Sequence, residues 1–237
     1  MIEARTDAGV SSILHELGAD AWEAAIRHPM VKAIADGSLP HETFRRYFTQ
    51  NVLYLEGYSR AIGVIVAKAP DRDAVTTLTR FLGQIVEHEI PANLAFLDRL
   101  GGDADTVAGR GRMLPVTYAY AQHLLSVCAL GDCAEGLTAV LPCQWSYGEL
   151  ARPLTAHPPD DAIYADWIGM FGNDDYDGLV SRTTALLDRL VDPLDERRMS
   201  ALSTIFERST RYEAEFWDMA YGDTLASPTR GATKGGT

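Results

Sequence analysis

Apolar residues recur at steps of three and four along almost the whole chain, and the alternation that marks strands is nearly absent. This period is that of an amphipathic helix, so the pattern predicts an all-α protein. Clusters of Pro, Gly and Asp separate the apolar stripes, as at Asp36-Gly-Ser-Leu-Pro40 and Ala69-Pro70-Asp71. The predicted helices cover about residues 11–28, 40–69, 71–100, 115–130, 139–150, 163–171, 174–191 and 194–221.

Three segments fall outside these stripes. Residues 101–112 are glycine-rich, but they follow no strand and lack the Lys-Ser/Thr ending of a phosphate-binding loop, so they are predicted to link two helices. Residues 152–159 are predicted to form a turn-rich loop before a helix, and Asp174 is predicted to cap the next one. The chain is expected to form one helical domain over residues 1–222, followed by a disordered tail over residues 223–237.

A cysteine follows a proline inside one of the apolar helical runs. Pro142 should bend this helix and leave the Thr138 carbonyl unpaired, so Cys143 is expected to lie on a kink. Tyr147 follows at the i+4 spacing that places two side chains on one helix face, which would set a phenol beside the thiol. The alternative is that Cys143 is a small buried hydrophobic residue, since free cysteine is commonly buried.

The second predicted helix carries an amide among phenols. Tyr47, Asn51, Tyr54 and Tyr58 share one face at helical spacing. Aromatic residues at this spacing can be core rather than pocket. An Asn in an apolar seam, however, must find hydrogen-bond partners, which tyrosine hydroxyls or a polar ligand could supply.

A carboxylate projects from the apolar face of the last predicted helix. Glu213 falls in a seam whose other members are Leu202, Phe206, Ser209, Phe216 and Ala220. Either Glu213 is solvated at an edge, or it lies in a pocket where desolvation raises its pKa into a range useful for acid–base chemistry.

The sequence offers no evident metal site. Glu87-His88-Glu89 places possible ligands on adjacent helix positions, which face different directions, and no second cluster has ligand spacing. This segment is therefore predicted to be a solvated helix face. No metal and no other cofactor are expected.

Composition narrows the class of protein further. The 237 residues can bury a large core without metal or disulfide support, and a net charge of -12 disfavours a nucleic-acid partner. The longest apolar stretch is too short to span a membrane. Three cysteines without a paired motif, and no signal-peptide pattern, favour the reducing cytoplasm.

Several segments closely resemble the TenA/thiaminase II family, in order from about residue 12 to residue 222. They are His28-Pro-Met-Val with Asp36-Gly-Ser-Leu-Pro40, Phe44 to Leu55, Leu141-Pro-Cys-Gln-Trp-Ser-Tyr147, Trp167-Ile168 and Tyr212 to Tyr221. The resemblance implies a haem-oxygenase-like helical bundle without haem, a homotetramer, and cleavage of aminopyrimidines related to thiamin.

The same resemblance implies roles for individual residues. Cys143 would be the nucleophile that adds to pyrimidine C6, and Glu213 would be the acid–base residue at the ring nitrogen. Tyr54 and Phe216 would flank the ring, and Tyr120 and Tyr147 would lie near the thiol and the carboxylate.

Two positions depart from the family pattern. Asn51 stands where the family has a carboxylate, and Phe171 stands where it usually has a tyrosine. Asn offers a donor and an acceptor without charge, so it can match a neutral aminopyrimidine but cannot stabilise a developing cation. Three hypotheses follow: an aminopyrimidine aminohydrolase or thiaminase, an enzyme with the same catalytic pair acting on another heterocycle or amide, and a non-enzymatic binding protein for a small ligand.

Overall fold

A computed structural model describes residues 9–225 of the chain, and all regular structure in that range is helical. The predicted all-α class is therefore confirmed. The α-helices are α1 (Val10–Leu17), α2 (Ala19–Ile26), α3 (Pro29–Ala35), α4 (His41–Ala67), α5 (Arg72–Gly83), α6 (Ile90–Arg99), α7 (Ala104–Arg110), α8 (Pro115–Leu130), α9 (Cys133–Ala151), α10 (Ala162–Phe171), α11 (Asp174–Leu190) and α12 (Glu196–Leu225).

Several predicted boundaries need correction. The first predicted helix is broken at Gly18, which ends α1 and caps α2. The predicted linker contains α7, because Asp103 accepts a hydrogen bond from the Thr106 N–H and starts a short helix there. The cap of α11 is Asn173 rather than Asp174.

The loop and the tail also differ in part from the prediction. A 3₁₀ helix (Arg152–Ala156) occupies most of the predicted turn-rich loop. The helix α12 continues to Leu225, so the predicted tail begins at least three residues too early. The rest of that tail, residues 226–237, lies outside the described residues.

A π-helical segment (Gln84–Glu89) joins α5 to α6. The wider turn inserts an extra residue into the helical register, so it changes which side chains face inwards. Glu87 and His88 are exposed as predicted, but Glu89 is only 7% exposed. The prediction that this whole segment is a solvated face was therefore wrong at Glu89.

The central helices are α4, α9 and α12. The helix α4 packs against α5, α6, α8, α9 and α12, and α9 also contacts α8, α11 and α12. Pro142 lies inside α9, and the helix continues past it to Ala151. Nearly every residue of α9 is buried, so Cys143 lies in the middle of the bundle.

The contact between α4 and α9 depends on a glycine. A Cβ atom at Gly136 would overlap the Ile65 side chain of α4. Replacing Gly136 by alanine is therefore expected to lower the free energy of unfolding by about 1–3 kcal/mol, as other overpacked cores do. Urea denaturation measures the effect. Gly63→Ala, where nothing lies within 4 Å of the new Cβ, is the control and should be neutral or stabilising. Equal stability of the two variants would contradict this packing.

Among the described residues, no helix combines the length and the apolarity that crossing a membrane requires.

Candidate active site

Four helices bring a thiol, a carboxyl group and two phenols together in the centre of the bundle. Tyr54 comes from α4, Tyr120 from α8, Cys143 from α9 and Glu213 from α12. Each of these side chains is at least nine-tenths buried. The apolar seam predicted for the last helix is correct, because all six of its members are buried. Glu213 therefore lies in the protein interior, not at a solvated edge.

Burial controls the ionisation of Glu213. The Tyr120 hydroxyl donates a hydrogen bond of 2.5 Å to Glu213 Oε1, and the Cys143 thiol provides a second contact. Desolvation raises the Glu213 pKa to about 7, although both contacts act to lower it. At neutral pH, Glu213 is consequently poised between accepting and donating a proton, as an acid–base group must be.

The Cys143 thiol is neutral in the resting protein. Burial raises its pKa well above the usual value, and the negative charges of Glu213 and Glu89 raise it further. The nearby Tyr54 hydroxyl lowers the Cys143 pKa. This hydroxyl forms no hydrogen bond of good geometry with any described residue. It is therefore available as a donor to the thiol. A thiolate must form by local proton transfer, and Glu213 is the acceptor in contact.

Aromatic rings enclose the thiol and the carboxyl group. Tyr54 stacks on Tyr120 with a centroid distance of 4.8 Å, and Tyr120 stacks on Tyr212 at 5.1 Å. Phe216 tilts against Tyr54 at 5.5 Å. The structure thus brings Tyr54, Tyr120 and Phe216 together around Cys143 and Glu213. Flat apolar walls of this kind suit a planar heterocycle.

Tyr147 lies close to Cys143 and Glu213, but its hydroxyl bonds to another tyrosine. Its hydroxyl shares a hydrogen bond of 2.9 Å with the Tyr47 hydroxyl, and its ring contacts Phe171 at 4.9 Å. Tyr54 is the phenol that contacts the thiol directly. Tyr147 is nevertheless close enough to Cys143 and Glu213 for their charges to raise the Tyr147 pKa. Phe171 is buried in this cluster and adds no hydroxyl to it.

The amide on the α4 face finds its partner on a neighbouring helix. Asn51 Nδ2 donates to Asn93 Oδ1 at 2.9 Å, and Asn93 Nδ2 donates to the Glu89 carbonyl at 2.8 Å. The partner is thus another amide, and not one of the tyrosine hydroxyls that the sequence suggested. This bond uses one of the two Asn51 N–H groups, so Oδ1 and the second N–H remain for a ligand.

Sequence reasoning missed Glu89 and Asn93. Both are buried, and both lie at i+4 steps between the buried residues Ile85 and Leu97. Two polar residues in succession on a buried stripe are the signal that could have revealed them.

Within residues 9–225, no group of three or more His, Cys, Asp and Glu side chains is arranged to hold a metal ion.

Comparison with known proteins shows which family the sequence matches. The profile of the TENA/THI-4/PQQC family matches residues 18–223. A protein named aminopyrimidine aminohydrolase from Halalkalibacterium halodurans is 32% identical over 214 residues, covering 90% of this chain and 95% of the relative. The protein of the same name from Bacillus subtilis is 30% identical and covers 86% of each chain.

Solved structures show the same architecture. A TenA homologue from P. horikoshii OT3 has a TM-score of 0.82 and 28% identity, covering 91% of this chain and 99% of the other. A domain from Shewanella denitrificans described as having a haem-oxygenase-like fold has a TM-score of 0.71 at 14% identity, covering 90% and 92%. The second likeness concerns the fold alone.

The chain therefore has a helical fold of the haem-oxygenase-like class. The chain belongs to the TENA/THI-4/PQQC family, and the resemblance to TenA is confirmed. The prediction of a hydrolase is confirmed at the level of class by the relatives' names, which describe hydrolases.

Proposed function

We propose that this chain hydrolyses an aminopyrimidine, either thiamin or a thiamin breakdown product, with Cys143 as nucleophile and Glu213 as acid–base residue. The observation that carries the proposal is the contact between the Cys143 thiol and the buried Glu213 carboxyl group, beside the packed aromatic rings of Tyr54, Tyr120 and Phe216. A cytoplasmic homotetramer without a cofactor belongs to the same proposal.

The chemistry requires a proton to move as the thiol attacks. Ionised Glu213 takes the proton of the Cys143 thiol, and the sulfur then forms a bond to ring carbon C6. One ring double bond opens, and its electron pair goes to the ring nitrogen, which receives the proton from Glu213. The bond from the exocyclic methylene carbon to the leaving amine then breaks, and water adds to that carbon. Loss of the proton from the ring nitrogen and of the Cys143 sulfur from C6 restores the aromatic ring and the thiol. The Tyr54 hydroxyl stabilises the thiolate before attack, and the Tyr120 hydroxyl holds Glu213 in place.

The rings and the amide would position the substrate. Tyr54 and Phe216 flank the heterocycle, while the free Oδ1 and N–H of Asn51 match the amino group and the adjacent ring nitrogen. Phe171, Tyr147 and Tyr47 pack together and would form a further part of the wall.

Product analysis distinguishes this proposal from the other two hypotheses. Purified protein is incubated with thiamin, with its aminomethylpyrimidine breakdown product and with unrelated heterocyclic amides, and the products are identified by mass spectrometry. Hydroxymethylpyrimidine formed from either of the first two supports the proposal. Turnover of another amide alone would indicate a different substrate, and binding without turnover of any compound would indicate a binding protein.

Treatment with a chelator is expected to leave this activity intact. The proposed steps use only protons and a thiol, and they need no Lewis acid. Turnover is measured before and after dialysis against a chelator, with a mock-dialysed sample as the control. A loss of turnover that iron restores would contradict a cofactor-free reaction.

A further inference from the structure

A second carboxyl group, that of Glu89, lies in the same interior without a partner among the described residues. Glu89 ends the π-helical segment and is only 7% exposed, no described side chain forms an ion pair with its carboxyl group, and its oxygens are not fully sealed from solvent. A buried carboxyl group without a partner costs several kcal/mol, and an apolar residue of similar size would make the fold more stable. Its presence therefore points to a ligand rather than to packing.

The groups around Glu89 are those of the candidate active site. Glu213 of α12, Cys143 of α9, Tyr176 of α11, and Tyr47 and Tyr58 of α4 all interact electrostatically with it. None of these neighbours is a cation. Burial first, and then the charge of Glu213, raise the Glu89 pKa to about 8, so Glu89 is mainly a neutral acid at pH 7.

Glu89 is also connected to the amide that departs from the family pattern. Asn93, one helical turn after Glu89, donates to the Glu89 carbonyl and accepts from Asn51 Nδ2. One hydrogen-bonded chain therefore links the Asn51 amide to the main chain of the residue that carries the second carboxyl group. Glu89 supplies an ionisable group that position 51 itself lacks.

We propose that Glu89 is a substrate-binding residue that contacts the amino-bearing edge of the heterocycle beside Asn51. This inference rests on the proposed function. The Glu89 acid gives its proton to the ring nitrogen next to the amino group, and the resulting carboxylate pairs with the positively charged amidinium edge. Glu89 forms no bond to carbon, and Glu213 serves the other ring nitrogen.

The inference changes what is expected at Asn51. An aspartate at position 51 would restore the family carboxylate, but here it would be a third acid beside Glu89 and Glu213, facing the Asn93 carbonyl oxygen. We expect Asn51→Asp alone to lower kcat/KM. Asn51→Asp combined with Glu89→Gln returns the number of acids to two, and it is expected to recover part of the activity lost in Glu89→Gln.

The test compares Glu89→Gln with Glu87→Gln, an exposed residue on the same π-helical segment. Steady-state kinetics with the aminomethylpyrimidine are measured from pH 6 to pH 10. We expect Glu89→Gln to lower kcat/KM by about tenfold to a hundredfold at pH 7, the usual effect of losing a charge-assisted hydrogen bond. It should also remove the fall in wild-type kcat/KM that accompanies ionisation of Glu89 near pH 8. Glu87→Gln should keep both wild-type features.

The failure of this inference can be told apart from failure of the proposed function. Glu89→Gln with wild-type kcat/KM and an unchanged pH profile would overturn the role of Glu89 and leave the proposed function standing. A wild-type protein without any turnover would overturn the proposed function first. If Glu89→Gln does not fold, Glu89→Asp keeps an ionisable group at a shorter reach. It should retain the fall above pH 8 with a reduced kcat/KM, and a wild-type kcat/KM would contradict the contact.

Discussion

Replacing Cys143 by serine is expected to lower the turnover of an aminopyrimidine by at least about a thousandfold, because a hydroxyl group ionises far less readily than a thiol and is the weaker nucleophile. The interior of the site strengthens this effect. Burial already raises the pKa of the Cys143 thiol, so a hydroxyl in the same place would not ionise by giving its proton to Glu213. Steady-state kinetics on the aminomethylpyrimidine measure the loss.

The two other cysteines provide matched controls. Burial raises the pKa of Cys128 to about 12 and that of Cys133 to about 11, and neither thiol contacts Glu213. Cys128→Ser and Cys133→Ser are therefore expected to keep turnover, although Cys128 is buried and its replacement can lower stability. A Cys143→Ser protein with near wild-type turnover would show that no covalent step occurs at this residue.

Replacing Glu213 by glutamine is expected to lower kcat by about a hundredfold to ten thousandfold, the range found for general acid–base residues. Glutamine keeps the size of the side chain and can still accept the Tyr120 hydrogen bond, but it cannot take the thiol proton. The loss should therefore appear in kcat rather than in KM alone. Glu215→Gln, which removes an exposed carboxylate from the same helix, is the control.

Glu213→Gln should lower kcat but raise the stability of the folded protein at pH 8. Because the Glu213 pKa is raised to about 7 in the folded protein, the folded state binds more protons than the unfolded state between the ordinary Glu pKa and pH 7. Wild-type stability should therefore fall as pH rises through this window. Glu213→Gln should lose the part of that dependence that Glu213 contributes, while the part due to Glu89 remains, and it should unfold at a higher temperature than the wild type at pH 8. A Glu213→Gln protein that keeps wild-type kcat, or that is less stable than the wild type at pH 8, would contradict a buried acid at this position.

The helical period of the sequence is enough to predict much of the candidate site. It singles out Glu213, because a carboxylate in the seam of Phe206 and Phe216 violates the pattern of a buried helix face. Helical spacing also predicts that Tyr47, Asn51, Tyr54 and Tyr58 share one face, and all four are buried. Such arguments work where a helix is regular and the inward side is unambiguous.

The parts that could not be predicted depend on contacts between helices or on an irregular helix. The Tyr147 hydroxyl binds Tyr47 while Tyr54 lies beside the thiol, and this arrangement follows from the packing of α9 against α4. The π-helical turn shifts the register of the residues that follow it, and the burial of Glu89 at its end depends on the helices that pack over it. The partner of Asn51 likewise comes from a different helix, 42 residues along the chain.

The most direct measurement follows ammonium and hydroxymethylpyrimidine over time, after wild-type protein is mixed with an excess of the aminomethylpyrimidine. We expect both products to appear in equal amounts and to exceed the number of protein chains many times over, with Cys143→Ser protein releasing neither. Saturating substrate that is bound but releases neither product from the wild-type protein would contradict the proposed hydrolysis.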